Sequence, residues 1–288
     1  MNRLTYYFFL FFLGIFKIFP FRALYAFSDL VFYIVYYLVG YRKKVVMDNL
    51  RNSFPEKDPR EIKKIAKQFY HHLVDILVES LKGYTMKEED IVKRYQYYNT
   101  GMLDDLYRKG KHVICVTGHY GNWEWGGIAS GTQLLHKPVG FYKPLSNKFI
   151  DDYLQGTRAK GRALLASIMH TAEIFKTSWD EPAIFYMVAD QSPSTPRLAF
   201  WVHFLNQDTA TLHGPEKYAR LHDIPVVFAR VKKIKRGNYT VTFEMLEPNP
   251  PTTEKGYITS RYMQMLEEEI KSEPAYYLWS HRRWKLKR

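Results

Sequence analysis

Two apolar, aromatic-rich stretches open the chain. Residues 4–19 read LTYYFFLFFLGIFKIF and stop at Pro20, and residues 23–41 form a second stretch that carries Asp29 and runs into Arg42, Lys43 and Lys44. The uninterrupted apolar part of the first, before Lys17, is shorter than the roughly 18–20 residues a spanning helix needs. Three readings compete: a cleaved signal peptide, a soluble core helix for the second stretch, and an uncleaved anchor. Arg3 gives only a small basic start and no small-residue cleavage site follows. Residues 1–41 are therefore expected to be a membrane anchor segment. In that expectation the first stretch is inserted, the second lies against the membrane or the domain, and residues 42–44 face the cytoplasm and anionic headgroups.

Beyond residue 42 the pattern belongs to one large domain, 42–288. Ile62, Ile65, Phe69, Leu73, Ile76, Leu77 and Leu81 recur at helical spacing, which predicts a helix over 59–84 that ends near Gly83. Short apolar runs without that period predict strands at 112–117 (HVICVT), 137–142, 182–189 (PAIFYMVA) and 224–234. Gly237-Asn238 turns the last of these back into 239–246 as a hairpin. Helices are expected at 148–177, 213–222 and 257–272, with Gly156 and Gly161 weakening the first. Strands alternating with helices predict an α/β fold: a mixed, largely parallel sheet flanked by helices, behind an N-terminal hydrophobic membrane anchor.

Composition narrows the partners. Aromatic residues make up 17% of the chain and its formal net charge is +13. Amphipathic rings suit a membrane–water boundary, and a basic surface attracts phosphates, anionic lipids or acidic proteins. Nucleic acid competes, but the basic residues are spread out and no nucleic-acid motif is present, so the expectation is lipid and no nucleic acid. The single cysteine, Cys115, rules out an intrachain disulfide and a cysteine-based zinc site. It sits inside Val113-Ile114-Cys115-Val116 and reads as a buried strand residue. His71, His72 and Asp75 have the look of metal ligands, but a partly exposed helix face explains them better, and no metal or cofactor is expected.

The chemistry concentrates at Gly118-His119-Tyr120-Gly121-Asn122-Trp123-Glu124, where a strand ends and a helix begins. Ligands bind at such strand ends in open α/β sheets. Five residues on a regular helix place side chains roughly 140° apart. His119 and Glu124 therefore meet only if His119 lies in the turn and Glu124 in the first turns of the helix. The carboxylate then holds one imidazole nitrogen and leaves the other free as a base.

These residues carry a resemblance. GHYGNWEWGG resembles the H-x4-D/E motif of glycerolipid acyltransferases, and in particular the late acyltransferases of lipid A biosynthesis, the lauroyl/myristoyl transferase family. Further blocks follow in the same order. RKKVVMDNLRNSFPE (42–56) is similar to the family's basic segment, Tyr142-Lys143-Pro144 to its Y-R-P block, and Ala189-Asp190-Gln191 to its P-D-x block. Thr209-Ala210-Thr211 resembles its A-x-T segment and Trp279–Lys285 its W-x-H-R-R-F-K end. Lys143 departs from the family's arginine, and Pro193–Pro196 replaces a glycine-containing turn.

The resemblance implies an O-acyltransferase domain over 42–288 at the inner membrane, facing the cytoplasm. His119 and Glu124 would be catalytic, and Asn122, Lys143, Arg158 and Asp190 would bind substrate. The donor would be acyl-acyl carrier protein, the acceptor a hydroxyl of a lipid A precursor, with no acyl-enzyme and no metal. A lysophospholipid, a glycosylated phosphatidylinositol or an amino-acid lipid is the alternative acceptor. An inert membrane scaffold is the alternative class, against which the intact His119-Glu124 pair argues.

Overall fold

The computed structural model describes residues 2–158 and 162–288, and at Arg158 and Leu198 the backbone alone. Helices α1 (Asn2–Ile18) and α2 (Phe21–Tyr33) come first, and α2 continues as a π-helical turn, Ile34–Val39. Then come α3 (Lys43–Ser53), α4 (Pro59–Gly83), α5 (Glu88–Val92), β1 (Tyr95–Tyr98), α6 (Gly101–Arg108) and β2 (Val113–Thr117). The middle of the chain holds α7 (Trp123–Gln133), β3 (Lys137–Tyr142), α8 (Lys148–Arg158), β4 (Leu164–Ser167), α9 (Thr171–Lys176) and β5 (Ala183–Val188). A hairpin of β6 (Ala199–Phe204) and β7 (Gln207–Leu212) leads to α10 (Gly214–His222), β8 (Val226–Lys235), β9 (Asn238–Glu247) and α11 (Tyr257–Ser272).

Seven strands form the main sheet in the order β1-β9-β8-β2-β5-β3-β4. Strands β8, β2, β5, β3 and β4 run parallel; β9 turns back antiparallel on β8, and β1 runs parallel to β9. This is the expected α/β architecture. Every residue of β2 is buried, as a central parallel strand covered on both faces requires. One face, with Tyr97, Cys115, Tyr186 and Tyr239, lies under α4 and α7; the other packs Phe185 on Phe175 and Phe228 on Tyr262 of α11. Each such fully buried aromatic contributes about 1.5–3 kcal/mol by removing apolar surface from water. Burial also pushes the Cys115 thiol far up, which fits a core residue.

Three expectations change. The helix expected over 148–177 is broken into α8, β4 and α9, because Leu164–Ser167 adds to β3 as a four-residue edge strand. A run of four residues is too short to show a period of its own. The α4 face with His72 and Asp75 is not solvated: α2 and the β8–β9 hairpin cover it. There Asp75 accepts from Ser28 and Arg236, Lys233 Nζ meets His72 Nδ1 at 3.1 Å, and His71 Nε2 lies 2.9 Å from Asp29. Burial alone would raise Asp75, but these partners hold it at about 2. Finally, the apolar helix long enough to cross a membrane is not the first stretch but Phe21–Val39, and only 22% of that window is buried. Helix α1 docks instead on α4 and α8 through Leu13 and Phe16.

One buried carboxyl yields a prediction. Glu269 on α11 accepts the Val231 N–H at 2.6 Å, and burial pushes its carboxyl up to about 8. The folded chain then keeps a proton that the unfolded chain releases near the ordinary 4.5. Stability contributed by this group therefore falls as pH rises between those two values. Relative to the parent, Glu269→Gln should gain melting temperature steadily from pH 5 to pH 8 and level off above. A pH-independent offset would contradict the protonated state.

Candidate active site

Strands β2 and β5 are adjacent and parallel with Thr117 beside Val188. His119 and Asp190 each lie two residues beyond those partners, so the register brings them side by side at the carboxyl edge of the sheet. His119 Nδ1 is 2.6 Å from Asp190 Oδ1, and the His119 N–H donates to Asp190 Oδ2 at 3.2 Å. On the far side of the ring, Gln191 Nε2 is 3.2 Å from His119 Nε2. The carboxylate accepts from Nδ1–H, which leaves a lone pair on Nε2 to face the Gln191 amide. The imidazole is 18% exposed and Asp190 2%: the reacting edge is open while its partner is sealed. Burial by itself would lower the proton affinity of His119. The charge and hydrogen bond of Asp190, with the charge of Glu124, outweigh it and raise His119 above the ordinary 6.5. Asp190 is raised by burial, but His119 and the nearby Arg283 hold it below the usual carboxylate range.

The turn that carries His119 is tightly packed. A side chain at Gly118 would meet Leu266 Cδ1 at 2.5 Å, and Gly121 has φ +58° with Val231 behind it. Both positions need glycine, one for close approach and one for the left-handed conformation. Asn122 then caps α7 by accepting the Trp125 N–H at 3.1 Å.

The C-terminal segment braces this turn from outside. Leu278 donates its N–H to the His119 carbonyl at 3.1 Å, and Gly121 donates to the Tyr276 carbonyl at 3.1 Å. The buried Tyr277 lies beside Asp190 and Arg283. Arg283, 1% exposed, donates to the carbonyl of Ala210 and to Thr211 Oγ1. His281 Nε2 accepts the Ser192 N–H at 3.3 Å, and burial, with nearby positive charges, depresses it to about 4, so this second imidazole is neutral.

The sequence-derived site changes in detail. The carboxylate on His119 Nδ1 is Asp190, not Glu124. Glu124 sits in the first turn of α7, where Tyr84 donates to its Oε2 at 3.4 Å, and it acts on the imidazole through its charge. Asn122 is fully buried, with its amide donating to Glu79 Oε2 at 2.8 Å. Lys143 is exposed just after β3, at the same sheet edge and two strands from β2. Arg158 ends α8, and its side chain lies outside the described residues. Gln191, His281 and Arg283 lie in the family-like blocks but were given no part in the His119 site from sequence, and Tyr277 was not singled out. The available signal was the pair of apolar runs at 112–117 and 182–189, each followed within two residues by a polar side chain, His119 and Asp190.

The profile of the family described as bacterial lipid A biosynthesis acyltransferase matches residues 1–286. This chain belongs to the bacterial lipid A biosynthesis acyltransferases. It is 24% identical over 255 residues to a lipid A biosynthesis palmitoleoyltransferase of Escherichia coli (strain K12), covering 85% of this chain and 79% of that protein. It is 22% identical over 246 residues to a lipid A biosynthesis acyltransferase of Haemophilus influenzae, covering 85% and 78%. As an acyltransferase of this family, the chain carries at this sheet edge a partly exposed imidazole with a sealed carboxylate behind it.

The pH dependence of transfer follows from the pair. A base must be neutral to act, so the acid limb of the rate profile should lie above the ordinary imidazole value. Asp190→Asn removes the charge that raises it and the acceptor that fixes the tautomer. The limb should move to lower pH and the rate should fall by roughly 10²–10⁴-fold. A limb that stays in place would place the titrating group elsewhere.

Proposed function

We propose that the protein is an O-acyltransferase that moves a fatty acyl group from acyl-acyl carrier protein to a hydroxyl of a lipid A precursor. The cytoplasmic face of the inner membrane is its place of action, and 42–288 is its catalytic part. The observation that carries the reading is the His119–Asp190 pair, with the ring partly exposed and its second nitrogen facing the Gln191 amide.

In this mechanism His119 Nε2 takes the proton of the acceptor hydroxyl, and Gln191 yields its place on that nitrogen. The oxygen attacks the thioester carbonyl of the donor and a tetrahedral oxyanion forms. The first turn of α7, which begins at Trp123, offers backbone N–H groups and the positive end of a helix to that charge. Collapse breaks the carbon–sulfur bond, and the imidazolium returns its proton to the sulfur. The products are the ester and the free carrier thiol. Asp190 keeps the imidazole in the productive tautomer and stabilises the imidazolium, while Glu124 and Tyr84 form one side of the opening. Lys143 and Arg158 remain the proposed contacts for anionic groups of the substrates.

The test is a pair of measurements. His119→Ala should lower transfer by roughly 10²-fold or more with the melting curve unchanged, and lipid A from cells lacking the chain should lose one acyl group that re-expression restores. Near-parental rates in the folded variant would end the base assignment; an unchanged lipid A mass would end the acceptor assignment. The donor has its own test. Exposed charges are screened beyond about 8 Å at physiological salt. Added salt should therefore raise KM for acyl-acyl carrier protein more steeply than for the matching acyl-coenzyme A, and change kcat less. Equal slopes would remove the carrier protein as dedicated donor.

A further inference from the structure

Among the described residues, fifteen of the twenty-six exposed large apolar side chains fall within residues 1–41. Scattered apolar residues are ordinary on a protein surface, but this density over two consecutive helices is not. The exposed positions follow helical spacing. Leu4, Phe8 and Phe11 form a stripe on α1, and Phe27, Leu30 and Leu38 form one along α2 and its π-helical turn. Both helices thus have apolar residues on their outward faces as well as on the faces that pack inward.

The inner face of α2 is pinned to the folded domain by polar groups. Tyr25 donates to Glu79 at 2.9 Å, Ser28 to Asp75 at 2.7 Å, and Arg236 Nη2 lies 2.6 Å from Asp29. Asp29 is near the middle of the 19-residue apolar stretch Phe21–Val39. If α2 crossed a bilayer, Asp29 and Arg236 would lie at mid-depth and pull the charged tip of the β8–β9 hairpin in with them. A charged side chain is costly there. Lying flat, the same helix places its outer stripe among acyl chains and leaves the pins in the protein. The cations agree with this placement: Arg3, Lys17, Arg22 and Lys44 are all exposed beside the stripes.

We infer that α1 and α2 lie together in the plane of an anionic lipid surface, with their outer stripes buried at headgroup depth, and that neither helix crosses the membrane. The choice of lipid as occupant rests on the acyltransferase reading. The placement also sets how substrate arrives. The inner face of α1 packs Leu13 against Tyr84, whose hydroxyl reaches Glu124 at the rim of the site. A lipid acceptor therefore meets His119 at headgroup level while its acyl chains stay in the bilayer.

Depth measurements on the full chain test this. Nitroxide labels go on Phe11→Cys, Leu30→Cys and Leu38→Cys; the native Cys115 is fully buried and stays unlabelled. Labelled protein is bound to vesicles of phosphatidylglycerol and phosphatidylethanolamine, and label depth is read by power saturation. All three labels should sit at about the same depth, roughly 5–10 Å below the phosphates. Binding should weaken at least tenfold on pure phosphatidylcholine. A label at Leu30 near the bilayer centre, with Phe11 and Leu38 near opposite surfaces, would overturn the inference in favour of a crossing helix. Labels that remain in water would overturn it in favour of a protein partner. Phe8→Cys and Phe27→Cys serve as second sites if a first variant loses its native circular dichroism. The same depths should appear in the His119→Ala protein, so loss of the activity reading and loss of the membrane geometry are told apart.

Discussion

The hydrogen bond from the Leu278 N–H to the carbonyl of His119 closes the structure on itself. A strand-to-helix turn is held by few contacts of its own, and here His119 must keep one orientation to stay on Asp190 against the entropy of a non-repetitive backbone. The C-terminal segment supplies that restraint by pairing its backbone with residues 119–121. The segment is itself held from several directions. Asn49 donates to the carbonyls of Trp279 and His281, Arg42 to that of Ser280, and Trp284 Nε1 to Thr209 Oγ1. Trp279 is fully buried between these attachments. Segments more than two hundred residues apart thus converge on one turn.

Behind that turn the electrostatics are arranged in layers. A buried carboxylate is expensive unless it is paired and hydrogen-bonded. Asp190 meets the condition through the ring and backbone of His119 and the charge of Arg283. Arg283 in turn spends its donors on the β6–β7 hairpin. The result is an anion fixed in the core whose outward influence is to raise the basicity of one half-open imidazole. His281, a few ångströms away in the same network, is driven the opposite way, because burial and neighbouring positive charge both disfavour its protonation. Two histidines of identical chemistry therefore differ in proton affinity by environment alone.

A second polar cluster does for the N-terminus what the tail does for the site. Asp75, Glu79, Lys233 and Arg236 are enclosed by α2, α4 and the β8–β9 hairpin, and they tie an otherwise apolar helix to the domain at a fixed angle. Because α1 leans on Tyr84 and α8, the exposed apolar faces of the N-terminal helices and the turn that carries His119 are neighbours.

Much of this was legible along the chain. The runs 112–117, 182–189 and 224–234 declared buried strands, and the helical period over 59–84 declared α4, because these patterns arise from local burial. The turn at Gly118-His119 was visible for the same reason, and the family blocks marked Asp190 as a site residue. Which carboxylate holds the imidazole was not visible. Spacing pointed to Glu124, five residues away, whereas Asp190, seventy-one residues away, is brought in by the parallel register of β2 and β5. The role of Arg283 as a buried partner to Asp190, where the sequence offered a basic tail, has the same cause. Sequence alone marked α4, the strands β2, β5 and β8 with its hairpin partner β9, and the turn at Gly118-His119, since each depends on neighbours within a few residues. Strand register and tail docking belong to the folded chain, because they come from packing between segments whose separation no local pattern records.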